Sequence, residues 1–270
     1  MRPSPPSHRT TPVTDAPPGP ARGRVPQLIA HRGYPLHYPE NSIAGIRAAL
    51  AAGAVAIECD VHLSADHQPV VIHDAALQRT AGIAGDVRDM TTEEVARVEV
   101  NETARLGPHF SGTKIPHLRE MVTIARQHPT VTFFLDVKRA SLRRFGNDVV
   151  LHAILAEIGV DTMSCVIVSF DRALLERARI RSTVRVGWAV DNWDDVAKGA
   201  LHALSPDYVF CAARAVPVAV PLPAGRWQWV VYDVDDPATA LDFGTRGADF
   251  VETDAIGEML ASLLPHAHTP

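Results

Sequence analysis

The feature that most constrains this chain is a repeated alternation of short apolar runs with segments of helical period. The runs occupy residues 27–31, 55–61, 131–138, 165–170, 185–190, 208–211, 229–234 and 249–253. Between them lie stretches whose Ala and Leu positions recur every three or four residues, at 42–52, 118–127, 148–158, 172–178, 193–204 and 237–246. Asn41, Asp171, Asn192 and Asp236 stand where helix N-caps are expected. Strand followed by helix followed by strand is the pattern of βα units and a parallel sheet. Eight such strands fill a closed (β/α)8 TIM barrel, and 270 residues with 46% hydrophobic content suffice for one.

One apolar run breaks the alternation. Residues 69–73 follow the second strand after only a few residues, too few for a crossover helix, so they are expected to return as an extra hairpin strand. A turn over Ala65–Gln68 sets His73 opposite Asp60. An insertion then runs over about 79–116, with a short helix at 91–98, in the manner of a functional cover. The domain plan is a disordered Pro-rich tail at 1–24, holding seven of the 21 prolines, one barrel domain at 25–264 and a tail at 265–270.

Function classes narrow by exclusion. A formal charge of −5 with interspersed Lys and Arg offers no basic stripe for nucleic acid. No apolar run before Leu28 resembles a secretory signal, and no run is long enough for stable membrane insertion, so the expected location is cytoplasmic. Cys59, Cys165 and Cys211 are isolated and read as reduced core thiols.

In a barrel of this kind chemistry sits at the C-terminal ends of the strands. There the first run ends in His31-Arg32-Gly33, the second in Glu58-Cys59-Asp60, the third in Asp136-Val137-Lys138, and the hairpin strand in His73-Asp74. Residues i and i+2 of a strand share a face, so Glu58 and Asp60 point together, as do Asp136 and Lys138. Carboxylates inside apolar strands are costly unless paired or bound to a cation. Glu58, Asp60 and Asp136 form an all-oxygen set suited to one divalent cation, Mg²⁺ or Ca²⁺, with Mn²⁺ also admissible. Arg32 and Lys138 then suit an anion, and His31 and His73 supply a proton acceptor and a proton donor. Taken singly, a strand-end histidine or a Glu-x-Asp pair is more often packing or a solvated edge. Their convergence at adjacent strand ends argues for a site.

At these residues the chain resembles the glycerophosphodiester phosphodiesterases. The resemblance rests on His31-Arg32-Gly33, Pro39-Glu40-Asn41-Ser42, Ile57-Glu58-Cys59-Asp60-Val61, Val70-Val71-Ile72-His73-Asp74, Leu77-Gln78-Arg79-Thr80, Lys114-Ile115-Pro116-His117-Leu118, Asp136-Val137-Lys138, Ser169-Phe170 and Thr253-Asp254, in that order. It implies a barrel of the phospholipase C-like type, with His31 and His73 as acid and base and a cation on Glu58, Asp60 and Asp136. Arg32 and Lys138 would contact the phosphate. The implied reaction is hydrolysis of a small glycerophosphodiester to sn-glycerol 3-phosphate and an alcohol. Attack by the glycerol 2-hydroxyl and attack by water both stay open. Asp136 stands where the family usually has Glu, Val231-Tyr232-Asp233 where Trp-Thr-Val is common, and Ala255 where Pro is usual. Trp188 and Tyr232 are candidate substrate contacts at strand ends, and Glu40 and Asp74 candidate supports of the site. His37, His62, His67, His109 and His117 read as loop histidines. Two other functions use the same residues: a lysophospholipase D or sphingomyelinase D-like diesterase, which needs an apolar rim, and a phosphodiester-binding barrel without turnover.

Overall fold

The structure, a computed structural model, describes residues 25–159, 164–197 and 200–263; the two expected tails lie outside them. Among the described residues nine strands occur: β1 (Gln27–Ala30), β2 (Ala56–Leu63), β3 (Pro69–Val71), β4 (Thr132–Val137), β5 (Cys165–Ser169), β6 (Arg185–Ala189), β7 (Tyr208–Ala212), β8 (Gln228–Tyr232) and β9 (Phe250–Thr253). All except β3 run parallel, in the order β1-β9-β8-β7-β6-β5-β4-β2, and the β1–β2 pairing closes the ring. This is the expected eight-stranded barrel.

Strand pleating sorts the side chains into two layers. Inward-facing Ile29, Ala56, Phe134, Val166, Val168, Tyr208, Phe210, Val230 and Phe250 plug the barrel. Phe134 sits at the centre, meeting Tyr208, Phe210 and Phe250 edge-on at centroid distances of 4.9, 5.4 and 6.3 Å. Such contacts add to the burial of each ring. Gly187 on β6 makes room for the plug, because a Cβ there would lie 2.9 Å from Phe210 Cε2 and 3.1 Å from Val168 Cγ2. Outward-facing Ile57, Cys59, Phe133, Leu135, Ile167, Val186 and Val209 pack under the helices.

The helices begin with α1 (Ile43–Ala51), followed in the insertion by α2 (Gln78–Ala81), α3 (Thr92–Val95) and α4 (Thr103–Leu106). Then come α5 (Leu118–Gln127), α6 (Arg139–Phe145), α7 (Asn147–Ile158) and α8 (Arg172–Arg181). The chain continues with α9 (Trp193–Ala197), α10 (Ala200–Leu204), α11 (Pro237–Thr245) and α12 (Ile256–Leu263). Asp171 and Asp236 cap α8 and α11 as expected, whereas α1 is capped by Ser42, whose Oγ accepts from the Gly45 amide. Asn41 is thereby freed for another partner. Between β7 and β8 the described chain forms no α-helix. Pro217, Pro221 and Pro223 each lack the N–H a helix needs, and Leu222 and Trp227 cover the barrel instead.

β3 pairs antiparallel with the upper half of β2, Val61 facing Val71. The register is one residue off the expected one: Ile72, not His73, lies across from Asp60, its amide donating to the Asp60 carbonyl at 3.0 Å. The slip reverses which side chain faces which side. The insertion has its own small core of Val70, Ile72, Leu77, Val87, Val95, Val98, Val100 and Ile115. Glu102 and Arg105 tie it to the loop after β1, through the Glu40 amide (2.8 Å) and the Pro35 and Tyr38 carbonyls.

Candidate active site

Two residues further along the inward faces, the apolar plug gives way to charge. Ala56 is followed by Glu58 and Asp60, Phe134 by Asp136, and Phe250 by Glu252; all four carboxylates are buried. Asp60 and Asp136 are register partners on β2 and β4. With His31, Arg32, His73, Lys138, Val168, Phe170, Ala189, Phe210, Arg214, Tyr232 and Asp233 they line a cavity of about 270 Å³ at the C-terminal mouth.

The cations neutralise the carboxylates only in part. Lys138 Nζ lies 2.5 Å from Asp60 Oδ1 and 2.6 Å from Asp136 Oδ2. Arg32 is in the left-handed region (φ 51°), which turns its amide onto Glu58 Oε2 at 3.1 Å and its guanidinium towards Glu40 (3.2 Å) and Asp60 (3.2 Å). Its Nε is nevertheless out of line for a hydrogen bond to Asp60. The neighbouring Gly33 (φ 90°) packs against the start of α1, where a Cβ would sit 2.8 Å from the Gly45 carbonyl carbon. No larger residue fits there. Burial raises the Asp60 pKa, but Lys138, Arg32 and the two histidines outweigh it, and the carboxyl is held below its ordinary range. Burial together with the charges of Asp60 and Glu252 pushes Glu58 well up, and burial takes Glu252 to about 7.

His31 follows β1, with Nδ1 2.7 Å from Asp254 Oδ1 and Nε2 3.4 Å from Glu252 Oε1. Burial lowers its pKa, yet Glu252, Asp254 and Glu58 together raise it to about 10. His73 is one-third exposed, and its Nδ1 lies 2.6 Å from Asp74 Oδ1. Burial is the largest influence on it and leaves its pKa below the ordinary histidine value. Asp74 is joined by Arg79 (2.6 Å) to Glu40 (2.7 and 2.8 Å), so one chain of ion pairs runs from His73 to Arg32.

The oxygen-rich group fits a hard cation. Glu58, Asp60 and Asp136 each offer an oxygen within 4.8 Å of the others', and Asp136 Oδ1 is buried with no hydrogen-bond partner among the described residues. His31, Glu58 and Glu252 form a second, overlapping group. Asn41 (φ 56°) fixes Asp60 from behind: its Nδ2 donates to Asp60 Oδ2 at 2.7 Å and its Oδ1 accepts from the Asp60 amide at 3.0 Å.

Sequence reasoning placed His31, Arg32, Glu58, Asp60, His73, Asp136, Lys138 and Tyr232 at the mouth, and all eight line the cavity. Trp188 does not. Gly187 and Ala189 take the inward side of β6, so Trp188 points outward into the helix-side core, with the Arg172 guanidinium 6.0 Å over its ring. His62 is no loop residue. It lies in β2, 1% exposed, with Nδ1 2.8 Å from Ser141 Oγ and Nε2 3.1 Å from the His73 carbonyl oxygen. His117 caps α5. Glu252, Asp254 and Asn41 were missed as site residues. The first carried the same signal as Glu58, a carboxylate two places after an inward apolar residue.

The sequence profile of the Glycerophosphoryl diester phosphodiesterase family matches residues 31–216. Glycerophosphodiester phosphodiesterase 1 of Bos taurus is 40% identical over 117 residues, 43% of this chain and 35% of that protein. The glycerophosphodiester phosphodiesterase of Caldanaerobacter subterraneus is 42% identical over 94 residues, 35% of this chain and 38% of that one. The matched stretch is thus little more than a third of these relatives' length. Among solved structures, an Oleispira antarctica phosphodiesterase in complex with the product sn-glycerol-3-phosphate superposes with a TM-score of 0.76 at 22% identity, covering 88% of this chain and 97% of that one. At that identity the likeness concerns the fold. Among the described residues no helix is long and apolar enough to cross a membrane.

Proposed function

The chain belongs to the glycerophosphoryl diester phosphodiesterase family, and from that premise we propose that it hydrolyses small glycerophosphodiesters to sn-glycerol 3-phosphate and an alcohol. The observation that carries this reading is the ring of buried, inward-facing Glu58, Asp60 and Asp136 set between two histidines at the barrel mouth. Mg²⁺, Ca²⁺ or Mn²⁺ bound there would supply a positive charge against the non-bridging oxygens of the phosphate.

The remaining roles belong to side chains. Arg32 and Lys138 face the same cavity and add positive charge for the phosphate. His31 has a carboxylate oxygen near each ring nitrogen, a setting that favours imidazolium and suits it to protonate the leaving alkoxide. His73, kept neutral by burial, suits the opposite role of accepting the proton of the attacking hydroxyl. Asp254 and Asp74 orient the two rings through Nδ1, and Glu40 braces Arg32. Tyr232, with Phe170 and Phe210, gives the cavity an apolar wall for the glycerol carbons.

The test is a panel of glycerophosphodiesters assayed with chelator and after adding back Mg²⁺, Ca²⁺ or Mn²⁺, beside His31→Ala and His73→Ala. Loss of turnover with chelator and a drop of about 100-fold or more in each variant are expected. Chelator-insensitive turnover, or full activity in either variant, refutes the reading. Product analysis by mass spectrometry should find sn-glycerol 3-phosphate.

A further inference from the structure

β2 runs on past Asp60, and its alternation puts His62 on the same row as Glu58 and Asp60. His62 does not line the catalytic cavity. It is a buried imidazole to which the proposed chemistry gives no task.

Its hydrogen-bond partners fix how the ring is used. The Ser141 hydroxyl oxygen accepts from the Leu63 amide at 3.1 Å, which leaves its own proton for His62 Nδ1 at 2.8 Å. The His73 carbonyl can only accept, so His62 Nε2, 3.1 Å away, carries the ring proton and donates it. The ring thus bridges α6, which follows directly on Asp136 and Lys138, and the main chain of His73.

That bond falls where the backbone has little else to hold it. The β2–β3 ladder ends with the Ile72 amide on the Asp60 carbonyl at 3.0 Å, and main-chain pairing resumes at the Ala75 carbonyl, which accepts from the Val87 amide at 2.9 Å. Among the described residues, the one hydrogen bond to the main chain of His73 and Asp74 comes from His62. Asp74 aims the His73 ring, but it is the next residue of the same stretch and is about one-third exposed. Through Arg79 it leads to Glu40 in the loop after β1, away from the strand that carries Glu58 and Asp60.

Resting on the diesterase reading above, we propose that His62 is a positioning residue for the reaction: it pins the His73 main chain to β2 and α6 and so sets the separation between His73 and the carboxylates of Glu58, Asp60 and Asp136. A displacement of about 1 Å in a reacting group can cost on the order of 100-fold in rate. Arg32 and Lys138 touch neither His62 nor the His73 main chain, so the loss belongs in kcat and not in KM.

The test uses three variants, with the glycerophosphodiester and divalent cation that serve the wild type best. His62→Phe keeps the bulk of the ring and removes both nitrogens. His62→Asn keeps a polar group beside Ser141 but stops short of His73, and His62→Gln reaches His73 with an N–H. In His62→Phe and His62→Asn, kcat should fall by about tenfold or more with KM within about twofold of wild type, and His62→Gln should recover most of the loss. Hydrogen exchange read by mass spectrometry, with chelator present, should quicken over residues 72–77 in the first two variants and less in the third. Folded His62→Phe or His62→Asn with wild-type kcat, a loss carried by KM, or equal losses in all three variants overturns the positioning role and leaves the diesterase reading intact. Failure of all three to fold, judged by urea unfolding, assigns His62 to the fold alone and also overturns it. A wild type that turns over no diester overturns the diesterase reading and this proposal with it.

Discussion

Asn41 offers the sharpest test of how the carboxylate ring is held. Its amide makes two hydrogen bonds to one buried residue, donating to Asp60 Oδ2 at 2.7 Å and accepting from the Asp60 amide at 3.0 Å, and its backbone is left-handed. Asn41→Ala removes a donor to a charged acceptor, worth about 1.5–3 kcal/mol, and strands a buried N–H at about 1–3 kcal/mol. It also places a Cβ without local hydrogen bonds in the left-handed region, at roughly 1 kcal/mol. Allowing for relaxation, about 3–5 kcal/mol of folding stability should be lost. Asn41→Gly loses the same hydrogen bonds without the backbone strain and should be less destabilised than the alanine variant by roughly 1 kcal/mol. Urea unfolding in chelator, followed by tryptophan fluorescence and far-UV circular dichroism, reads both differences. Because Asn41 orients Asp60, cation affinity measured by calorimetry on folded Asn41→Gly should fall by about 10–100-fold. A loss under about 1 kcal/mol in Asn41→Ala, the size expected of a surface substitution, would refute the argument.

Three further outcomes are expected. Glu252→Gln keeps the shape of the residue but removes a carboxylate shared with His31 and Glu58, so cation affinity should weaken by about tenfold or more; unchanged binding by calorimetry and unchanged turnover would remove Glu252 from the site. Glu40 is ion-paired with Arg79 and Arg32; burial raises its pKa, but these cations outweigh burial and hold it below the ordinary value of 4.5. The unfolded chain therefore takes up more protons as pH falls through that value, and Glu40 contributes stability that is present above it and lost below it. Glu40→Gln should flatten the acid limb of a stability–pH curve, and an identical limb would count against the pairing. Gly187→Ala should destabilise by about 1–3 kcal/mol through overpacking against Phe210 and Val168, and a chemical melt matching wild type would show that the plug has slack there.

The barrel was legible because each buried parallel strand is a short apolar run bounded by helix starts and turn residues, so the eight strands appear within a residue or two of their expected limits. Phase and register were harder to read. The apolar run ends at Val61, which makes His62 read as a loop residue, whereas β2 continues through Leu63. Trp188 was expected at the mouth because strand-end aromatics often sit there, yet Gly187 and Ala189 occupy the inward positions of that strand. His73 slipped by one place because the hairpin turn type is not written in Ala65–Gln68. Asn41 looked sufficient as a helix cap, and only the three-dimensional approach of β2 shows its real partner. Glu252 could have been found by applying to the last strand the rule that singled out Glu58.

The contact between His31 and Asp254 joins positions 223 residues apart. His31 leaves the first barrel strand and Asp254 leaves the last, and β1 and β9 are neighbours only in the finished ring. During synthesis the histidines and most of the carboxylates emerge early, but His31 has no anchor until the final strand inserts. Long-range contacts of this kind form late and slowly. Assembly of the candidate site is therefore gated by completion of the fold, and a partly folded chain carries His31 without the carboxylate that orients it.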